Sequence, residues 1–223
     1  MSTKNNLKRF FTEYWKYLAV YTACKLNIFD NLLEYKDCQK LANELNIEKE
    51  SLNILLDALV NIKFLIKKDN KYKINSTSHL LTDNHPESLK YSCILWGEEH
   101  LNAWQNLIYT IQTGKGSFEM IYGMSYFTFL NKNPNKLYIY QKAMNEYARD
   151  DYNNITNIID FSKYSSIMDV GGGWGFILEK VREKFPEKKY ILFESKEVLQ
   201  FCTNENIQKI EGNFFEKIPV KSD

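Results

Sequence analysis

Aromatic and aliphatic residues recur every three or four positions through Phe10, Tyr14, Tyr17, Leu18, Tyr21 and Cys24, a spacing that predicts an aromatic amphipathic helix. Residues 26–32 read as its exit and a short helical turn. A helix over 38–45 follows, broken at Asn46-Ile47. Another over 48–61 turns Leu52, Leu55, Leu56 and Leu59 inward. Residues 64–74 read as a hairpin turning at Asp69-Asn70. Helix, turn, helix and hairpin make a winged helix, assigned to residues 1–85.

Helical spacing returns over 87–113, with Leu95, Trp104, Leu107, Ile108 and Ile111 as its apolar positions, and Gly114-Lys-Gly116 ends it. Asn133-Pro134 offers an N-cap and a first-turn proline for a long helix toward Asp160. Tyr140, Met144 and Tyr147 share one face of that helix. A Met and aromatic stripe at this spacing is either core or the lining of a pocket, and the pattern leaves both open. Residues 86–160 are therefore read as a helical region.

Beyond 160 the period changes. Ile167 to Val170 reads as a short buried strand, 176–185 as a helix, and 189–194 as a second strand ending in Glu194. Between the first strand and the helix stand Gly171, Gly172, Gly173 and Gly175, a turn almost without side chains. Such a turn brings bare backbone N–H groups and a positive helix N-terminus up to a ligand. Glu194 lies about twenty residues further on, where a carboxylate can accept both hydroxyl protons of a ribose. A plain tight turn needs neither four glycines in five residues nor that carboxylate, so a nucleoside ligand is expected. Phe176 stands where a dinucleotide fingerprint places its third glycine, which weakens NAD and FAD. S-adenosylmethionine fits better, its carboxylate facing the helix N-terminus and its ribose facing Glu194.

Bulk properties narrow the partners. The chain has 223 residues, enough for one large or two small domains, and 44% of them are hydrophobic. A net charge of +1 gives no general attraction to nucleic acid or anionic membrane. No apolar run reaches the roughly 18 residues of a membrane span, and Glu13 and Lys16 interrupt the apolar stretch near the N-terminus, so no signal peptide is expected either. Cys24, Cys38, Cys93 and Cys202 are scattered without metal-ligand spacing and read as thiols of a reducing, cytoplasmic protein. The winged helix raises DNA binding as a rival function. Between 48 and 61, however, the only cation is Lys49, while Glu48, Glu50 and Asp57 would repel phosphate. The basic wing (Lys67, Lys68, Lys71, Lys73) reads as a solvated hairpin, and no nucleic acid partner is expected.

Asp169-Val-Gly-Gly-Gly-Trp-Gly175 resembles the cofactor motif of S-adenosylmethionine-dependent O-methyltransferases of the plant caffeate, hydroxyindole and bacterial polyketide type. Phe161-Ser162, Leu192-Phe-Glu-Ser-Lys-Glu-Val198 and Gly212-Asn-Phe-Phe-Glu-Lys-Ile-Pro219 match further family segments in order, so the likeness covers nearly the whole chain. It implies a winged-helix dimerisation domain, hence a homodimer, followed by a Rossmann-like doubly wound methyltransferase sheet. It implies cofactor contacts from Asp169, Gly171, Gly172, Gly173, Gly175, Glu194, Asn213 and Phe214. Tyr140 and Met144 would line the pocket of a small hydroxylated substrate, phenolic or polyketide-like. Three positions depart from the pattern: Glu194 and Asn213 stand where the family usually has Asp, and Ala148 where several members have a cofactor-bonding Ser.

In the family, the histidine that takes the phenolic proton follows a fourth strand. This chain reaches Lys221-Ser-Asp223 where that strand should begin. The resemblance therefore implies an incomplete sheet in residues 161–223, with the glycine-bearing strand as an open edge. His79 and His85 read as solvent-exposed, His100 as able to face a pocket, and no catalytic residue is assigned. The alternatives to an active enzyme are a cofactor-binding or dimerising remnant and half of a split enzyme whose second chain supplies the rest.

Overall fold

The computed structural model describes residues 3–218 and 221–222; Pro219, which closes the third family segment, lies outside them. The chain forms two compact units, Met1–Gly123 and Met124–Asp223. Among the described residues no helix is long and apolar enough to cross a membrane.

In the first unit the expected N-terminal helix is two, α1 (Thr3–Thr12) and α2 (Tyr14–Lys25), parted at Glu13. Only the second half of its aromatic stripe is a core face. Phe10 and Tyr14 are 74% and 54% exposed, while α2 buries Val20, Ala23 and Cys24. The inward face begins in the first turn of α2, where Tyr17 Oη donates to Cys93 O at 2.8 Å. The turn after α2 anchors the unit, with Ile28, Phe29 and Leu32 fully buried.

The winged helix then appears as expected, with one strand that pattern could not show. β1 (Lys36–Asp37) is two residues long and leads into α3 (Cys38–Leu45), whose first turn is capped by the Asp37 carboxylate accepting from Lys40 N–H at 2.9 Å. Asn46, in the left-handed conformation, closes α3. The Glu48 carboxylate accepts from Glu50 and Ser51 N–H to open α4 (Lys49–Asn61), which buries Leu52, Leu56 and Leu59 and leaves Leu55 half-buried. β2 (Leu65–Lys68) and β3 (Lys71–Ile74) pair antiparallel, Leu65 opposite Ile74, with β1 on the far side of β3. Asp69 and Asn70 both have positive φ, 49° and 56°, the type I′ geometry that suits a two-residue hairpin. Two wing lysines are neutralised within the unit: Lys67 Nζ meets Asp57 at 2.7 Å and Lys73 Nζ meets Glu34 at 3.0 Å.

After α5 (Ser76–His79), the stretch expected as one helix over 87–113 is three: α6 (Lys90–Trp96), α7 (Glu99–Gln105) and α8 (Leu107–Thr113), followed by α9 (Ser117–Tyr122). One break falls at Gly97, where the Tyr21 ring occupies the place of a side chain, 2.3 Å from an ideal Cβ. Leu95 is buried, whereas Trp104, Leu107, Ile108 and Ile111 lie on the surface. Gly114, left-handed, ends α8 as expected. His79 is exposed, but His85 is half-buried, its ring edge-on to His79 at 4.6 Å. His100 packs edge-on against Trp96 at 4.9 Å, and burial lowers its pKa.

The second unit opens with α10 (Tyr126–Lys132), α11 (Pro134–Tyr152) and α12 (Ile155–Ile158). Pro134 takes the first-turn position, but Asn133 is no side-chain cap, because its amide donates to Phe129 O at 2.7 Å. The helix also stops at Tyr152, eight residues before Asp160, at the pair Asn153-Asn154. Three parallel strands follow in the order β4 (Ser166–Val170), β5 (Lys189–Glu194) and β6 (Ile207–Glu211), joined by α13 (Phe176–Lys184) and α14 (Lys196–Leu199). The central strand β5 buries Tyr190, Ile191, Leu192 and Phe193 in succession, as a strand covered on both faces does. β4 is an edge strand, and Val170 is 40% exposed.

Candidate cofactor site

The turn between β4 and α13 is shaped by what each glycine faces. Gly171, Gly173 and Gly175 have φ of 74°, 58° and 84°, which L side chains rarely adopt. Gly172 does not, and its constraint is steric: an added Cβ would lie 2.3 Å from Cγ and Oδ2 of Asp169. At Gly173 the nearest atom is Gln141 Oε1, 3.1 Å from the same ideal position. Gly171 faces Phe214 at 3.5 Å. Gly175 looks away from these, toward Ile207, Cys202 and Leu192 in the core at 3.4 to 3.8 Å. A Cβ would meet them at ordinary contact distance, so what requires glycine at this position is its left-handed backbone.

A cavity of about 440 Å³ opens at this turn, within the roughly 300–1,000 Å³ of small-molecule sites. One wall is Asp169 to Trp174 with Phe176 and Ile177, the other the α11 face carrying Tyr140, Gln141, Met144, Tyr147 and Ala148. The stripe on α11 is therefore a cavity wall. The signal separating it from core was the interruption of the stripe by polar Gln141 and Asn145.

Three buried polar atoms on the cavity walls have no hydrogen-bond partner: Asp169 Oδ2, Gln141 Oε1 and Trp174 Nε1. Burial pushes the Asp169 carboxyl up from its ordinary pKa. Glu194, at the C-terminal end of β5, is half-buried and also raised, first by burial and further by the nearby Asp169 charge, against the lowering effect of Ser195. Tyr140 is raised by burial and by Glu194, which puts those two side chains within electrostatic reach. Glu194, Asn213 and Phe214 do not line the cavity itself. The Asn213 side chain is engaged in its own turn, donating to Glu216 Oε1 at 3.0 Å and accepting from Phe215 N–H at 3.1 Å. Phe214 approaches through Gly171. Among the described residues no cluster of His, Cys, Asp and Glu could hold a metal ion.

Residues 104–223 match the model of an O-methyltransferase domain, and residues 9–84 that of an O-methyltransferase dimerisation domain. The chain is 27% identical to a phenazine O-methyltransferase of Lysobacter antibioticus, over 97% of this chain and 67% of the relative. It is 25% identical to a 3-amino-4-hydroxybenzoate 4-O-methyltransferase of Streptomyces cremeus, over 94% and 60%. It thus spans about two thirds of the length of the curated relatives it matches. Its fold superposes on the crystal structure of LaPhzM with a TM-score of 0.95 at 26% identity, covering 100% of this chain and 70% of that one. Human N-acetylserotonin methyltransferase, solved in complex with SAM, gives 0.89 at 22% identity, covering 99% and 68%. Nothing in these comparisons supports a separate polypeptide carrying a missing half.

Proposed function

Because that match takes in more than half of its residues, the chain belongs to the O-methyltransferase family, and on that premise we propose that it binds S-adenosylmethionine at the glycine turn and serves methyl transfer to a hydroxyl of a small aromatic molecule. The observation that carries the reading is the cavity at Gly171 to Trp174, with three unpaired buried polar atoms in its walls. An unpaired buried polar atom costs about 1–3 kcal/mol, so a structure that keeps three around one cavity is built for a polar ligand there.

When bound, S-adenosylmethionine supplies an activated methyl group on a sulfonium. The chain's own residues do the rest that is assigned here. Gly171, Gly172 and Gly173 let backbone N–H groups approach the ligand, and the N-terminus of α13 favours its carboxylate. Glu194 accepts from the ribose hydroxyls, with Phe214 and Asn213 on the nucleoside side. Tyr140 and Met144 wall the space left for the acceptor molecule. Ala148, on the same wall, offers no hydroxyl to the cofactor. Relatives that act on phenazines and on a hydroxybenzoate support an aromatic acceptor. The matched dimerisation segment and the exposed Phe10, Tyr14 and Trp15 support a homodimer.

Titration calorimetry with S-adenosylhomocysteine, followed by incubation with methyl-labelled S-adenosylmethionine and a panel of phenols, tests the reading. Saturable binding is the expected result, and transferred label would show that a group of this chain takes the proton of the acceptor hydroxyl. Binding without transfer would leave a cofactor-binding protein, and no binding overturns the assignment.

A further inference from the structure

The four cysteines differ in what surrounds them. Cys202 is buried in the core of the second unit, and Cys38 Sγ donates to Lys49 O at 3.5 Å. Cys24 and Cys93 instead share a thiol–thiol hydrogen bond where α2 packs against α6. Contacts on either side hold that crossing in place. On one side Tyr17 Oη reaches Cys93 O at 2.8 Å, and the Tyr21 ring fills the place of a side chain at Gly97. On the other, Lys90 Nζ donates to Asn27 Oδ1 and Asp30 Oδ2, both at 2.8 Å. The pair is asymmetric: Cys24 is fully buried, whereas Cys93 is partly exposed. Cys93 also lies between the two matched family segments and belongs to neither.

Two thiols already in contact need only a short approach to reach the S–S bond length of about 2.05 Å. The hydrogen bond with Cys93, and then burial, push the Cys24 thiol up, so it keeps its proton. Peroxides react with accessible thiolates, which Cys24 does not offer. We propose that Cys93 and Cys24 form a reversible redox pair, in which hydrogen peroxide oxidises the accessible Cys93 and the buried Cys24 resolves it to a disulfide. The Cys93 thiolate attacks the O–O bond, taking one oxygen as a sulfenic acid while the other leaves as hydroxide and is protonated to water. The Cys24 sulfur then forms the S–S bond and displaces the sulfenic hydroxyl, which leaves as water with the Cys24 proton. In total two thiols lose two electrons and two protons, and one peroxide becomes two waters. In a reducing compartment the pair rests as thiols, and thiol exchange reopens the disulfide. The bond ties α2, inside the matched dimerisation segment, to α6 outside it.

The test treats the purified protein with excess hydrogen peroxide, blocks the remaining thiols under denaturing conditions and maps tryptic peptides by mass. Cleavage after lysine places Cys24 in 17–25 and Cys93 in 91–115, each with a single cysteine. These two peptides should appear joined and lighter by two hydrogen atoms, and dithiothreitol should separate them. Cys38 and Cys202 should be recovered as blocked thiols, and nonreducing electrophoresis should show no covalent dimer. Cys24→Ser should leave Cys93 as a sulfenic acid that dimedone captures, and Cys93→Ser should leave Cys24 a thiol. Where either variant folds poorly, the parent's peptide map decides by itself. Cys93 carried to sulfinic acid without the joined pair, a link to Cys38 or Cys202, a link between chains, or both thiols intact after prolonged peroxide overturns the inference.

Discussion

The indole of Trp174 stacks on the ring of Phe201, centroids 5.8 Å apart and planes within 8°. Phe201 in turn packs against Leu130, Leu137 and Val198, a small core shared by α10, α11 and α14. The one bulky side chain of the glycine turn is therefore held by a core against which Tyr140 of the facing cavity wall also packs. Phe201→Ala should lower stability by about 2 kcal/mol, less than a fully buried Phe→Ala because the ring is only partly buried. In a background with Trp15, Trp96 and Trp104 replaced by Phe, it should also shift Trp174 emission toward that of a solvated indole. Urea titration followed by fluorescence reads both, and an unchanged emission maximum would mean that Phe201 does not position the turn.

The steric fit of Gly172 with Asp169 makes a second, separable expectation. Gly172→Ala should cost about 1–3 kcal/mol, as overpacking does, because the buried Asp169 carboxylate must shift to admit the methyl group. Gly171→Ala meets only Phe214 at 3.5 Å, and its cost of about 1–2 kcal/mol comes from the left-handed backbone instead. Adding Asp169→Ala should recover most of the loss at Gly172 and none at Gly171. A double-mutant cycle in thermal unfolding reads the coupling. Additive effects at Gly172 and Asp169 would contradict the contact.

How far the sequence disclosed this site can be traced residue by residue. The turn, α13 and β5 were legible as elements because a glycine cluster between two apolar runs has few alternatives, and both strands fall within one residue of expectation. Gln141 showed only as a polar interruption of the α11 stripe, which marks a wall but assigns the residue no role. Periodicity marks apolar faces, and a single glutamine in an apolar stripe carries no spacing of its own. The helix over 87–113 was misjudged for a similar reason: the break at Gly97 is imposed by the distant Tyr21 ring. The two-residue β1 gave no pattern at all. On α1 and α2, periodicity correctly found an aromatic face but could not say that Phe10 and Tyr14 would be left outside.

Asp169 makes stability and binding oppose each other. Its pKa is raised by burial, so the folded state holds the proton more tightly than the unfolded chain. The stability this confers is present below the unfolded pKa, about 4, and is lost as pH rises through the raised value. Asp169→Asn removes that dependence. Without ligand the variant should match the parent near pH 4 and become relatively more stable toward neutrality, while binding S-adenosylhomocysteine more weakly. Melting temperatures across that pH range check it. A variant less stable than the parent at neutral pH would mean the carboxylate is compensated in the folded protein.

For the dimer, the structure redirects the choice of variant. The Tyr21 ring is committed to the gap at Gly97, so replacing it would damage the fold. Phe10 and Tyr14 are exposed and fall within the matched dimerisation segment. Phe10→Glu with Tyr14→Glu should yield monomers in sedimentation while leaving the melting of the monomer nearly unchanged, since surface substitutions away from core contacts typically stay within about 0.5 kcal/mol. A parent chain that is already monomeric at tens of micromolar, roughly where a standard-sized interface should hold, would remove the claim.

Glu194 offers the cleanest test of the nucleoside side. It sits where β5 ends, its carbonyl held by Gly212 N–H at 3.0 Å, so the backbone at this position is fixed independently of its side chain. Gly212 must stay bare, because an added Cβ would fall 2.4 Å from the Phe193 ring. A substitution at Glu194 therefore changes the acceptor without moving the strand. Glu194→Ala should weaken S-adenosylhomocysteine by roughly tenfold or more, since both ribose hydroxyls lose a charged acceptor. Glu194→Asp keeps the carboxylate one methylene further back and should cost less. Burial and the Asp169 charge raise the Glu194 pKa, so parent affinity should also fall as pH drops through that raised value and the acceptor is neutralised. In Glu194→Ala that part of the pH dependence should vanish. Equal affinities for the alanine and aspartate variants, each with the parent's pH profile, would place the ribose elsewhere.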